Sequence, residues 1–340
     1  MALDDRTIDV VRASCGASGV EPGEILQPLW SGFGRVQRIA LRGAGASSAI
    51  LKLVDTSSGG RHPRGWDTDR SRSRKRESYD IETVWYERYA PRCDDACRVP
   101  ALLGAFEHGD VRGLVLEDLD ADYPLRRETL DVAGCIVCLE WLAAFHARFL
   151  GDDGHGLWPT GCYWHLGTRP DELAAMPDSP IRRAARALDS ALETTRHRTL
   201  VHGDAKVANF CFDRGMDAAA ALDFQYVGGG CGVRDVVYFL GSCLSDADCR
   251  RHEARLLDAY FAALGDALER DGHDASRAAV EAEWRPLYAL AWTDFLRFLL
   301  GWMPTHRKVS PYAHELAARA LASLDARGAT EGDERGADRR

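Results

Sequence analysis

Residues 200–212 read LVHGDAKVANFCF, and ALDFQ follows at 221–225. A short apolar strand breaks off at His202-Gly203-Asp204 and resumes at Asn209. A second short strand then leads to Asp223. Asp204, Asn209 and Asp223 therefore stand at the ends of two short apolar strands. Polar groups cost free energy at such places unless they are partnered. Their grouping points to something bound there.

The surroundings bound the answer. The chain has 340 residues, enough for two lobes and a sizeable core. Hydrophobic residues make up 46% and charged residues 28%, the balance of a soluble globular protein. The formal net charge is -9, which argues against a nucleic-acid partner, since such binders are usually basic. No apolar run is long enough to cross a bilayer, so no membrane partner is expected. The acidic N-terminus, MALDDRTIDVVRAS, lacks the basic start and apolar stretch of a secretory signal, and a cytoplasmic location is expected. The ten cysteines show no second ligand pair at zinc-site spacing and read as reduced, mostly buried thiols.

Upstream, residues 5–15 suggest a helix, followed by three strand-like segments, EILQPLW, RVQRIALR and SSAILKLVD. Ser31-Gly32-Phe33-Gly34 makes a tight turn between the first two. The polar stretch from Thr56 to Glu77 contains a basic run, Arg61 to Arg76, read as a solvated loop or a flap near a ligand. SYDIETVWYERYA reads as a helix with Ile81, Val84, Trp85 and Tyr89 on one side. Two more strands, ALLGAFEHG and VRGLVLEDL, precede a change to mainly helical pattern after Leu119. A long helix is expected to start near Thr129, with others near 170–198, 234–245, 250–270, 276–301 and 311–325. Trp284, Tyr288, Trp292 and Trp302 recur in the late helices, mostly as core, with some lining a pocket. The expected division is a β-rich lobe over 1–118, a helical lobe over 119–326 and a disordered charged tail over 327–340.

The chain uses arginine almost throughout, and its only lysines are Lys52, Lys75, Lys206 and Lys308. A lysine kept against that background suggests a need for a compact, flexible point charge. Lys52 falls in the third strand and Lys206 two residues after Asp204. Phosphoryl transfer from ATP asks a protein for a cation on the phosphates, oxygen ligands for magnesium and a carboxylate that takes the proton of the attacking hydroxyl. Lys52 supplies the cation. Glu82, in the helix that follows, is its favoured partner, with Glu77 earlier on the same helix as the competitor. HGDAKVAN places an Asn five residues after the Asp, the spacing of a kinase catalytic loop. Asn209 and Asp223 offer the oxygen atoms that hard magnesium prefers.

With these motifs the sequence resembles the kinase-like small-molecule phosphotransferases. These include aminoglycoside phosphotransferases, choline kinases and ecdysteroid-kinase-like proteins. HGD at 202–204, LVLEDL at 114–119, DFQ at 223–225 and IETVWY at 81–86 look most like the ecdysteroid-kinase-like branch. The resemblance implies an α+β, two-lobed protein-kinase-like fold, with a small β-rich N-lobe and a larger, mainly helical C-lobe. It implies ATP and Mg2+ as cofactors and a small-molecule alcohol as acceptor. By residue, it implies Asp204 as catalytic base and Lys206 as a charge on the transferred group. It also implies Lys52, fixed by Glu82, on the α- and β-phosphates, and Glu117 with its neighbours as the hinge that meets adenine. Asn209 and Asp223 would hold magnesium, Gly32 and Gly34 would cover the phosphates, and Asp235 would brace the catalytic loop.

Three departures qualify the resemblance. Gln225 stands where protein kinases have the Gly of D-F-G. Too few residues separate Asp223 from Asp235 for a peptide-docking activation segment, so the acceptor is expected to be small. The turn at 32–34 lacks the full G-x-G-x-x-G. An antibiotic-inactivating, aminoglycoside-type phosphotransferase and a non-catalytic nucleotide-binding module are the rival readings. His202 is read as a loop-holding residue and His146 as a satisfied core or interface histidine.

Overall fold

The computed structural model describes residues 3–29, 32–55 and 69–337. Helix α1 (Asp5–Cys15) opens the chain: the Asp4 side chain accepts from Thr7 N at its start, and Gly16 ends it in the left-handed region. Strands β1 (Gly19–Pro28), β2 (Gly34–Arg42) and β3 (Ser48–Asp55) follow. Helix α2 (Asp69–Val84) comes next and winds out through a π turn, Trp85–Tyr89. Strands β4 (Leu102–His108) and β5 (Val111–Glu117) complete a five-stranded sheet ordered β1-β2-β3-β5-β4, antiparallel at every pairing.

The two-residue period of a strand decides what β3 does. Ala49, Leu51 and Leu53 turn one way and pack with Ile39, Leu41, Val115 and Val11 of α1. Lys52 therefore points to the other face of the sheet.

The rest is mainly helical: α3 (Val132–Arg148), α4 (Pro170–Ala175), α5 (Pro180–Glu193), α6 (Val233–Cys243), α7 (Asp246–Arg270), α8 (Arg277–Trp284), α9 (Tyr288–Trp302) and α10 (Pro311–Ala337). Two short sheets sit among them. Strand β6 (Thr199–Val201) pairs with β9 (Gly228–Gly230), and β7 (Phe210–Phe212) pairs with β8 (Ala219–Ala221). The architecture is the expected α+β one, a small antiparallel sheet followed by a larger helical part. No helix among the described residues is long and apolar enough to cross a membrane.

Four local expectations are corrected. The helix expected over 276–301 is two, because Pro286 lacks the N–H and has the ring that interrupt a helix; a 3-10 turn, Arg285–Leu287, joins them. The long helix starts at Val132 rather than near Thr129, since Asp131 caps it by accepting from Gly134 N. Residues 69–76 of the basic run form the first turns of α2 instead of a loop, as Arg, Lys and Glu favour helix; residues 61–68 lie outside the described ones. Helix α10 carries its backbone to Ala337, through most of the stretch expected to be disordered, despite Gly328, Gly332 and Gly336. All ten cysteines are free thiols, eight of them buried.

Candidate active site

The loop after β6 is built around a glycine and a buried carboxylate. Gly203 has φ 77°, and a Cβ there would lie 2.1 Å from the Tyr226 carbonyl oxygen. A side chain at this position is excluded twice, by conformation and by space. Asp235, fully buried in α6, accepts from the backbone N–H of His202 (2.6 Å) and of Gly203 (2.9 Å). His146 of α3 lies against Asp235 Oδ2 (3.1 Å) and the Tyr260 hydroxyl (2.8 Å). It is thus a satisfied core histidine that steadies the brace. The His202 ring spans from the Asp204 N–H, which donates to Nδ1 (3.2 Å), to the Leu222 carbonyl (2.9 Å).

Asp204 leaves this loop with its carboxylate facing a cleft. Lys206 Nζ donates to Asp204 Oδ2 (2.9 Å), and Asn209 Nδ2 donates to Asp204 O (2.8 Å) and Oδ2 (3.2 Å). Both amide protons of Asn209 are used in this way, which leaves its Oδ1 as the acceptor. Leu222 N donates to Asn209 O (2.8 Å), tying the segment before Asp223 to the loop that carries Asp204. Burial lowers the pKa of Lys206, but Asp204 and Asp223 outweigh it and hold the ammonium charged.

Lys52 Nζ donates to Glu82 Oε1 (2.7 Å) and to Asp223 Oδ1 (3.0 Å). Glu77 is exposed on α2, so Glu82 is the residue at Lys52. One ammonium serves two carboxylates here. Burial opposes the charge on Lys52, and Asp223 and Glu82 more than restore it. Glu82 is the more enclosed carboxylate, and its burial holds it above the ordinary carboxylate range. Burial also acts against ionised Asp223, yet Lys52, Lys206 and Lys75 hold it well below that range.

Asp223 has φ 68°, a left-handed conformation that Asp tolerates better than most residues. Phe224 fixes it there. That ring is fully buried and stacks on Trp85 at 4.4 Å between centroids, so the π turn that ends α2 grips the residue next to Asp223.

Two cavities meet at Asp223. One, of about 160 Å³, has Lys52, Glu82, Asn209 and the Leu116–Leu119 strand exit in its wall, with Ile50 and Leu222 giving it an apolar side. The other, of about 270 Å³, is lined by Asp204, Lys206 and Lys75, with Tyr163, Phe298 and Trp302 opposite. Asp223, Gln225, Gln27 and Leu29 border both. Glu117 turns its carboxylate away into contacts with Arg98 Nη2 (2.5 Å) and Ala101 N (3.0 Å).

Gly32 and Gly34 line neither cavity. The glycine at 34 is demanded by packing: with φ 148°, a Cβ would lie 1.9 Å from the Leu53 carbonyl oxygen. Of the late aromatics, Trp302 reaches the second cavity, while Trp284, Tyr288 and Trp292 are buried core.

Several residues of the second cavity carry no sequence motif: Arg74, Lys75, Tyr163, Arg169, Tyr226 and Phe298. Arg169 lies over the rings of Tyr163 (5.7 Å) and Phe298 (5.2 Å). The rarity of lysine was the one signal that pointed at Lys75. Elsewhere among the described residues, His165, Asp189 and Glu193 bring ligand-type atoms within 4.8 Å of one another. Arg234 already donates to Glu193 (2.7 Å), so that group forms an ion-pair network.

The fold resembles that of known proteins. The crystal structure of choline kinase from Cryptosporidium parvum superposes over 97% of this chain and 97% of its own, with TM-score 0.51 and 10% identity. Plasmodium vivax ethanolamine kinase (TM-score 0.48, 13% identity, 90% of this chain and 84% of that one) is also similar. So is an aminoglycoside-3'-phosphotransferase of type VIII (TM-score 0.44, 17% identity, 86% and 100%). The chain has the α+β, kinase-like fold of that choline kinase, a small antiparallel sheet followed by a mainly helical part.

Residues 183–290, about a third of the chain, are similar to a family model described as "Uncharacterized oxidoreductase dhs-27", a name carried by the ecdysteroid-kinase-like group. No curated protein matches the chain.

Proposed function

We propose that this protein is an ATP-dependent O-phosphotransferase that moves the γ-phosphoryl group of ATP to a hydroxyl of a small molecule. One observation carries the reading: two cavities share Asp223, with Lys52 and Asn209 on one side and Asp204 and Lys206 on the other. A nucleotide and an acceptor bound in them would meet where these five side chains converge.

The residues fit the cofactors. The apolar side of the smaller cavity suits a base, and the exit of β5 offers backbone groups to its edge. Lys52, kept charged, suits the phosphates. Asn209 Oδ1 and ionised Asp223 form the oxygen set that a hard cation takes. Magnesium, when bound, would offset charge on the phosphate oxygens. Asp204 accepts the proton of the acceptor hydroxyl as the new P–O bond forms. The bond to the β,γ-bridging oxygen breaks, and its electron pair leaves with ADP. Lys206 holds the Asp204 carboxylate in place and adds positive charge beside the transferred group.

The acceptor cavity disfavours a polycation. Its cations Arg74, Lys75, Arg169 and Lys206 match in number its carboxylates Asp171, Glu172, Asp204 and Asp223, with Glu172 engaged by Arg169 (3.3 Å), so it has no acidic excess to draw a polycation. Its aromatic wall suits an amphipathic alcohol. A non-catalytic module is also disfavoured, because Lys52, Asp204, Asn209 and Asp223 are all present and assembled. The test is ADP release from Mg·ATP across choline, ethanolamine, aminoglycosides, macrolides, nucleosides and sterols, with mass detection of the product. A phosphorylated acceptor is expected. A protein that binds no nucleotide would sink the proposal.

A further inference from the structure

Three of the four lysines in this arginine-rich chain, Lys52, Lys75 and Lys206, stand around the same cleft, and Lys308 is elsewhere, donating to Leu244 O. The proposed function uses Lys52 and Lys206 and leaves Lys75 without a role. Lys75 lies seven residues before Glu82 on α2, which is two helical turns and therefore the same face. Glu82 meets Lys52 from that face. Lys75, nearer the start of the helix, lines the cavity that contains Asp204 and Lys206.

Its partners are unusual for a half-buried lysine. Lys75 Nζ donates to Gln225 Oε1 and sits over the Tyr79 ring at 4.7 Å. Among the described residues no carboxylate lies within ion-pair distance of it. Both of its direct partners are neutral, and its charge bears on the carboxylates of Asp223 and Glu82 only at longer range. Gln225 occupies the position next to Phe224 where a glycine would offer no such oxygen. The Gln225 main chain is fixed in turn, since Trp158 Nε1 donates to its carbonyl (2.9 Å). A cation with no carboxylate in contact among the described residues, held by the neutral amide of Gln225 that borders both cavities, is arranged for an anion that arrives there.

We propose that Lys75 binds the γ-phosphoryl group of the nucleotide from the side opposite Lys206, with Gln225 as its partner before the nucleotide enters. This rests on the phosphotransferase reading. In the transfer, the acceptor oxygen bonds to phosphorus, the bond to the bridging oxygen breaks, and the proton passes to Asp204. Lys75 makes or breaks no bond. It offsets charge on the equatorial oxygens, an electrostatic contribution made from a fixed position. A compact ammonium on a flexible stem can exchange an amide oxygen for a phosphate oxygen by a small movement, which a stacked guanidinium does less readily.

The experiment compares affinities for Mg·ADP and for the magnesium complex of the β,γ-imido analogue of ATP, by titration calorimetry. The proteins are the full chain, Lys75→Met and Lys75→Arg. The unaltered protein is expected to prefer the imido analogue. Lys75→Met is expected to lose about tenfold or more of affinity for the analogue, the scale of one charge-assisted hydrogen bond. It should keep its ADP affinity within about twofold, which also certifies its fold. Lys75→Arg should recover part of the loss. Equal loss for both nucleotides would overturn the proposal and make Lys75 a support for α2. Unchanged affinities, or no preference in the unaltered protein, would also overturn it. If the unaltered protein binds neither nucleotide, the phosphotransferase reading itself fails, and this proposal goes with it.

Discussion

Asp204 receives side-chain hydrogen bonds from Lys206 and Asn209 while its carboxylate stays open to a cavity, so its geometry is set before any substrate arrives. Replacing it with Asn keeps the shape and removes the proton acceptor. Turnover of Asp204→Asn is expected to fall by about 10²–10⁴-fold, the usual share of general-base catalysis. Its Mg·ATP affinity should change little, and calorimetry beside a steady-state assay separates the two. Glu82 gives a second prediction. Its carboxyl is held above the ordinary range by burial, so the folded protein binds that proton more tightly than the unfolded chain does. Burial of the ionised form therefore costs stability at neutral pH, and that cost is relieved as pH falls through the raised value. The same protonation removes a partner from Lys52. Affinity for Mg·ATP is thus expected to weaken as pH drops through that value, and Glu82→Gln should bind weakly with a flatter profile. A parent protein with the same flat profile would refute this account. Lys52, Glu82, Asp204, Asn209 and Asp223 were legible because their spacings are tied to strand ends and one helix. Tyr163, Arg169 and Tyr226 were not, since they reach one cavity from separate loops that no local pattern links.

At the scale of elements, the loop that carries Asp204 depends on one carboxylate in α6. Asp235 serves two backbone N–H groups and His146 in a fully buried setting. Asp235→Ala would leave buried donors unsatisfied, at about 1–3 kcal/mol for each. A lower midpoint in urea is expected, together with loss of turnover, because the His202-Gly203 turn that carries Asp204 loses its anchor. A midpoint equal to that of the parent would mean the loop is held by something else. The elements themselves were legible where a period was clear. The strands of the sheet show alternation, and the order of three strands, a helix and two strands followed from it. Boundaries failed where a single residue decides them, as with Pro286 between α8 and α9 and the Asp131 cap of α3. The start of α2 was hidden because a dense basic run reads as solvated whether it is coil or helix.

At the scale of the whole molecule, side-chain contacts join the N-terminal part to the segment 223–225 at the cleft. Lys52 reaches Asp223, Trp85 stacks on Phe224, and Lys75 holds Gln225. Three side chains from β3 and α2 and its π turn thus grip three consecutive residues of the other lobe. A nucleotide bound across this junction would add its own bridge from Lys52 to Asn209, and ligand binding to the folded state alone raises stability by mass action. At a hundred times the dissociation constant the gain is about 2.7 kcal/mol, enough for a shift of several degrees in the melting temperature. Mg·ATP is expected to produce that shift, and removing the metal with EDTA should abolish most of it. Asp223→Asn sharpens the test, because Asn also tolerates the left-handed backbone and the substitution removes mainly the charge. Its melting curve should respond to ATP equally with and without magnesium. A variant that still gains stability from the metal would place the cation elsewhere, and the assignment of Asp223 as its ligand would fall while the fold and the nucleotide cavity stood.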